Sequence, residues 1–454
     1  MRTRSILFFC NNRYFFQLLF ILISVSGIAQ TIPDTLNPVF SLSRCISYAL
    51  SNQPLVRQSE IDEKINIQNI RIALSGWYPQ LNADANLQHY LKLPVAFFPD
   101  QNNPSGPKIQ QSTGVLNTSL LGFSATQAIY TTDLFFAGKT SHDLRIQASE
   151  NTQNSRINTI VDVSRSFYDV LLTRKQMDIL EEDIQRLKRN YEDAYHLYQS
   201  GVTDKIDWQQ ALITLNNVKA QKKNAEEIIK AKYTLLKQLM GYPAGKQMFL
   251  SFDSATIAME IKADTLKKPD INNRIEFQLF QTGLRLQNEQ IGYYKWSFLP
   301  SLSAFYNYNM IYQNDNLSRT YNINYPYSYF GLTLKLPIFQ GTSRWQNIKK
   351  AHLAVNRMEE GGKYLESEIW SEYSQALASY KSNLYALQTA RSNIEIAREI
   401  YTTVKLQYNQ GIQPYLQVLV SETDLRTAQL NWLSALFQVL SSKLDLKKAL
   451  GEID

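Results

Sequence analysis

Two turns spelled almost alike restrict this chain to a duplicated, elongated helical architecture. Tyr198-Gln199-Ser200-Gly201 closes one long heptad-patterned run, and Tyr408-Asn409-Gln410-Gly411 closes another. A second helical run follows each turn and stops at a glycine: Gly241 stands 40 residues after Gly201, and Gly451 stands 40 residues after Gly411. A repeated antiparallel helical hairpin accounts for both the spelling and the spacing. Hairpins of this length are rods, which suit a conduit or a bridge better than a compact enzyme.

The rods carry narrow apolar seams. Met177, Leu180, Ile184, Leu187, Tyr191, Ala194 and Tyr198 alternate spacings of three and four. Tyr380, Leu384, Leu387, Ile394, Ala397, Tyr401, Val404 and Tyr408 repeat the pattern, with Arg391 at the one skipped position. Such spacing is that of a coiled-coil seam. Helices over about Ser141 to Gln199 and Ser343 to Asn409 would each be roughly 90–100 Å long at about 1.5 Å per residue. Gly361 and Gly362 interrupt the second, at about 1 kcal/mol each relative to alanine, so a local bend or a close helix contact is expected there.

The first 29 residues differ in kind. Arg2, Arg4 and Arg13 precede or border an apolar run from Phe15 to Val25, and small residues stand at Gly27 and Ala29. This reads as a secretory signal peptide cut before Gln30, since the run is too short to be a spanning helix. Its removal lowers the formal net charge from +7 to +4 by taking away three arginines, too weak a bias to suggest a nucleic-acid partner. Cys45 alone then remains, so no internal disulfide can form. His89, His142, His196 and His352 are scattered without metal-ligand spacing. No phosphate loop, nucleophile elbow or zinc-protease signature appears. The reading is a non-enzyme with no metal and no cofactor.

Between signal and rods the period changes to two. Leu81, Ala83, Ala85 and Leu87 alternate with Asn82, Asp84, Asn86 and Gln88, and Phe330, Leu332, Leu334, Leu336 and Ile338 alternate with Gly331, Thr333, Lys335 and Pro337. Four strands are expected at about 81–91, 115–130, 302–312 and 328–339, with polar loops at Pro99 to Lys108 and Asn314 to Pro326. Apolar-out, polar-in alternation with aromatic margins fits a transmembrane barrel, although a soluble β-sandwich would bury the same faces. The repeated unit spans about 41–241 and again 270–451, with 242–269 as a linking segment around the waist and 30–454 forming a single domain. Four strands cannot close a barrel, because open edges leave backbone groups unpaired in hydrocarbon. Three identical chains would supply twelve. The expected fold is therefore mainly α with a membrane β-barrel part.

In the order and duplication of these motifs the chain resembles the TolC-like outer membrane efflux protein family. The resemblance rests on Tyr198-x-x-Gly201-Val202 with Asp207, on Tyr408-x-x-Gly411-Ile412 with Ser421, Glu422 and Leu425, and on Leu336-Pro337-Ile338-Phe339-Gln340-Gly341. It implies a homotrimer in outer membrane lipid that conducts substrates passively, served by a periplasmic adaptor protein and an inner-membrane pump. It also implies that Gly201, Val202, Gly411 and Ile412 contact the adaptor, and that Tyr198, Asp207, Tyr408 and Gln417 lie at a periplasmic gate. Gln417 and Val420 stand where the family commonly has acids, which argues against an acidic constriction. An exported coiled-coil scaffold without a pore is the competing reading. A periplasmic hydrolase has no acid, base and nucleophile cluster to support it. The transported substrate is not legible.

Overall fold

A computed structural model describes residues 39–99, 106–251, 261 and 263–453. The expected signal peptide, the tip of the Pro99 to Lys108 loop and the middle of the 242–269 segment lie outside these residues. In chain order the elements are β1 (Val39–Phe40), α1 (Leu42–Asn52), α2 (Pro54–Leu74), β2 (Gln80–His89), β3 (Val95–Phe98), β4 (Ile109–Ser112), β5 (Asn117–Tyr130), α3 (Thr132–Gln199), α4 (Lys205–Met240), β6 (Phe249–Leu250), α5 (Ile275–Trp296), β7 (Ser301–Asn314), β8 (Asn324–Lys335), α6 (Ser343–Asn409) and α7 (Tyr415–Leu450).

Four long strands form one antiparallel sheet in the order β2-β5-β7-β8, so the two repeats meet at β5 and β7. In register across it stand Asp84, Gly122, Asn309 and Tyr327. Because opposed residues share a face, Leu81, Ala83, Ala85 and Leu87 lie on one side with Phe123, Ala125, Phe330 and Leu332, while the asparagines of β2 lie on the other. β2 and β8 are the edges, each with one side unpaired. A bulge between Ala128 and Tyr130 shifts the register before the last pair with β7, Tyr130 opposite Leu302, and Thr131 then caps α3 by accepting from the Leu134 amide.

That cap corrects the expected start of the first rod. The helix begins at Thr132 rather than near Ser141, and its 68 residues span about 100 Å. The fourth strand also differs from expectation: it runs over Asn324–Lys335 rather than 328–339, so its alternation continues into Leu336 and Ile338 without sheet pairing. The Asn314 to Pro326 loop is shorter than expected, a short 3₁₀ helix at Leu317–Asn322 followed at once by β8. An extra hairpin, β3 with β4, extends the first loop.

The largest core lies midway along the rods. Val163, Phe167 and Leu171 of α3 meet Leu236 and Met240 of α4, Tyr380 and Leu387 of α6, and Val439 and Leu440 of α7. The described ends of the linking segment bind this waist. β6 pairs in parallel with β1, and Tyr380 accepts from the Ala263 amide while donating to the Ile261 carbonyl at 2.7 Å. The two glycines of the second rod do not break it, since α6 is continuous. Gly362 instead admits the Phe280 ring of α5, whereas Gly361 faces open space.

Candidate functional site at the hairpin tips

The two turns are built alike. In the first, the Gly201 amide donates to Tyr198 at 3.0 Å and the Val202 amide to Leu197 at 2.9 Å; in the second, Gly411 donates to Tyr408 and Ile412 to Gln407, both at 2.9 Å. Gly201 and Gly411 have φ of 75° and 74°, the left-handed region that closes a helix end and that glycine enters without a Cβ clash. Val202 and Ile412 project from these turns with about two thirds of their surface exposed (68% and 65%). Exposed Ile213 of α4 and Leu416 and Val420 of α7 line a groove just above the tips.

Behind the turns the hairpins lie side by side and share one core. Leu180, Leu187 and Ala194 of α3, Leu215 and Val218 of α4, Tyr401 of α6 and Val418 and Leu425 of α7 are all buried in it. The four gate candidates divide between the hairpins. Tyr198 packs at a tilt against Trp208 of its own hairpin, with centroids 6.1 Å apart. Tyr408 packs on Tyr415 of the other, 5.4 Å away, and its phenol is raised by burial and by the nearby carboxylates of Asp207 and Asp193. Asp207 is itself raised, by burial and by Asp204. Gln417 is exposed on α7. Tyr408 thus feels the Asp207 carboxylate of the other hairpin, Tyr198 packs on Trp208, the residue after Asp207, and Gln417 faces solvent. The hydroxyls of Tyr408, Tyr415 and Thr203 and the Trp208 indole N–H are buried without a hydrogen-bond partner among the described residues.

A charged lock deeper in the same core was not anticipated. Asp183 of α3 is fully buried and accepts from Arg186 Nη2 at 2.6 Å and from Arg426 Nη1 of α7 at 2.9 Å. Glu422, also buried, accepts from Asn190 Nδ2 at 2.8 Å and more loosely from Arg186 Nε at 3.4 Å. Lys405 of α6 donates to Asn190 at 3.0 Å. Burial, then the charge of Asp183, pushes the Glu422 carboxyl up to about 7. Burial opposes the charge on Arg186, yet Asp183 and Glu422 together raise it. Three helices from two repeats are thus tied by ions that only their side-by-side packing brings into contact.

Among the described residues no group of side chains could hold a metal ion, and no helix is long and apolar enough to cross a membrane. The second statement does not bear on strands.

Residues 45–242 and 271–452 match the family model for the outer membrane efflux protein. The probable efflux pump outer membrane protein TtgC of Pseudomonas putida is 22% identical over 422 residues, covering 88% of this chain and 83% of the relative. Outer membrane protein TolC of Vibrio cholerae is 20% identical over 365 residues, covering 79% and 83%. The solved structure of the outer membrane protein VceC from Vibrio cholerae has the same fold, with a TM-score of 0.70 at 15% identity, covering 90% of this chain and 96% of that one.

Proposed function

The chain belongs to the outer membrane efflux protein family, it resides in the outer membrane and it is an efflux channel protein; from that premise we propose that three copies close a twelve-stranded barrel and a helical tunnel beneath it. The observation that carries this reading is the pair of free sheet edges. With strands alternating in direction along β2-β5-β7-β8, the two edges run oppositely, so β8 of one copy can pair antiparallel with β2 of the next around a closed ring. Leu81, Phe330, Leu332 and Leu334, all more than 60% exposed in one chain, then face lipid, and the asparagine-bearing face lines water. A scaffold without a pore leaves that oily sheet face without a purpose.

In this reading the tips dock a periplasmic adaptor, which connects the tunnel to an inner-membrane pump. Val202, Ile412 and the groove at Ile213, Leu416 and Val420 supply the exposed apolar surface for the adaptor's helices. Conduction is passive: no bond is made or broken, and the pump supplies the energy. Opening is a displacement of the α6–α7 hairpin from the α3–α4 hairpin. Cysteines introduced at Gln199 and Asn409, beside the two gate tyrosines, test it by oxidative locking of neighbouring chains. Cys45 is wholly buried and its thiol is pushed up to about 12 by burial, so it gives little background. Locked trimers are expected to assemble and fail in export. Undiminished export by fully locked trimers would exclude a gate at the tips.

A further inference from the structure

The face of the sheet opposite the oily one is not uniformly polar. Tyr325, Tyr327 and Tyr329 occupy three consecutive same-face positions of β8 and remain 53%, 46% and 49% exposed. The rings of Tyr327 and Tyr329 are parallel, 3° apart in plane with centroids at 6.2 Å, and Phe305 of β7 meets Tyr329 edge-on at 6.0 Å. One exposed tyrosine needs no explanation. Three stand in file, two of them with parallel rings, on a face whose other strand positions are mostly Asn, Gln, Ser and Thr, with Leu120, Ile311 and Phe305 as its other large apolar side chains.

The same face holds one carboxylate among its strand positions, Asp84, at mid-height; its one base, Lys335, stands at the far end of β8. Asp84 shares a row with Gly122, Asn309 and Tyr327. A side chain at Gly122 would meet the Asp84 carboxylate at 2.8 Å and the Asn309 amide oxygen at 3.0 Å, so both groups lean over the bare backbone of β5. Strands lie about 4.8 Å apart, which puts this notch roughly 10 Å from the Tyr327 strand. That is about the long dimension of a fused two- or three-ring aromatic.

We propose that this face is a binding track for flat aromatic cations, with the charge held at Asp84 and Asn309 over Gly122 and the ring system laid on Tyr327 and its neighbours. The site rests on the closed-barrel reading, which makes this face the lumen wall. Tyrosine faces attract cations and stack on planar rings, and a carboxylate at mid-height on a wall whose one base stands at its far end favours cations over anions.

The test is the fluorescence polarisation of ethidium, a planar aromatic cation, titrated with detergent-solubilised full-length protein whose oligomeric state is read by light scattering on the same sample. Tyr327→Ser and Asp84→Asn are each expected to weaken binding about tenfold while the trimer persists; Tyr327→Phe keeps affinity within about twofold, and a planar aromatic sulfonate of equal size binds at least about tenfold more weakly. Asp84→Asn, nearly isosteric, decides the matter should Tyr327→Ser fail to assemble. Equal ethidium affinity in wild type and in the assembled variants overturns the track and leaves the barrel standing. A wild-type protein that proves monomeric overturns the barrel and the track with it.

Discussion

Asp183 binds an arginine from each repeat at once, Arg186 of α3 and Arg426 of α7. Removing one partner of a buried ion set leaves the others desolvated and unpaired, so Asp183→Ala is expected to cost about 3–5 kcal/mol, read as a lowered denaturation midpoint. Glu422 predicts a pH effect. Its carboxyl is raised from 4.5 to about 7 among Asp183, Arg186, Asn190, Lys405 and Tyr401, so the folded chain holds that proton more tightly than the unfolded one. This contribution is fully present below about 4.5 and is lost as pH rises through about 7. Glu422→Gln should flatten the slope of thermal midpoint against pH within that window, and an unchanged slope would assign the titration elsewhere. None of this was visible from spacing: Asp183 and Glu422 sit beside the seams, where a charged residue ordinarily faces water, and they are buried because the hairpins pack laterally.

At the scale of elements, adjacent glycines in α6 offer a test of opposite signs. Gly361→Ala replaces a poor helix former where there is open space and should stabilise by up to about 1 kcal/mol. Gly362→Ala drives a methyl group into the Phe280 ring and should destabilise by about 1–3 kcal/mol, with Phe280→Leu restoring much of the loss in a double-mutant cycle. The close contact was one of two outcomes the Gly361-Gly362 pair suggested, and only the position of α5 decides between them. Strong periodicity made other elements legible. The seam from Met177 to Ala194 packs in the shared core, and Leu81 to Gln88 alternates as a strand. Where periodicity fails, boundaries slip: α3 starts at Thr132 rather than near Ser141, and Val95-Ala96-Phe97-Phe98 has no alternation to announce β3. Loop and cap residues at such places are set by contacts from distant segments.

For the whole molecule, the tips, the waist and the sheet lie along one rod axis, so the account depends on how many rods stand together. The glycine turns were legible because they are written twice in nearly the same letters, and the strands because their side chains alternate. The number of copies is written nowhere in one chain; it follows from two unpaired edges and a need to seal them in lipid. The direct measurement is the native mass of the detergent-extracted mature protein. Three chains, stable without cross-linker and resistant to salt extraction from the membrane, are predicted. A monomer that remains folded and soluble after the detergent is removed would contradict the account at its centre.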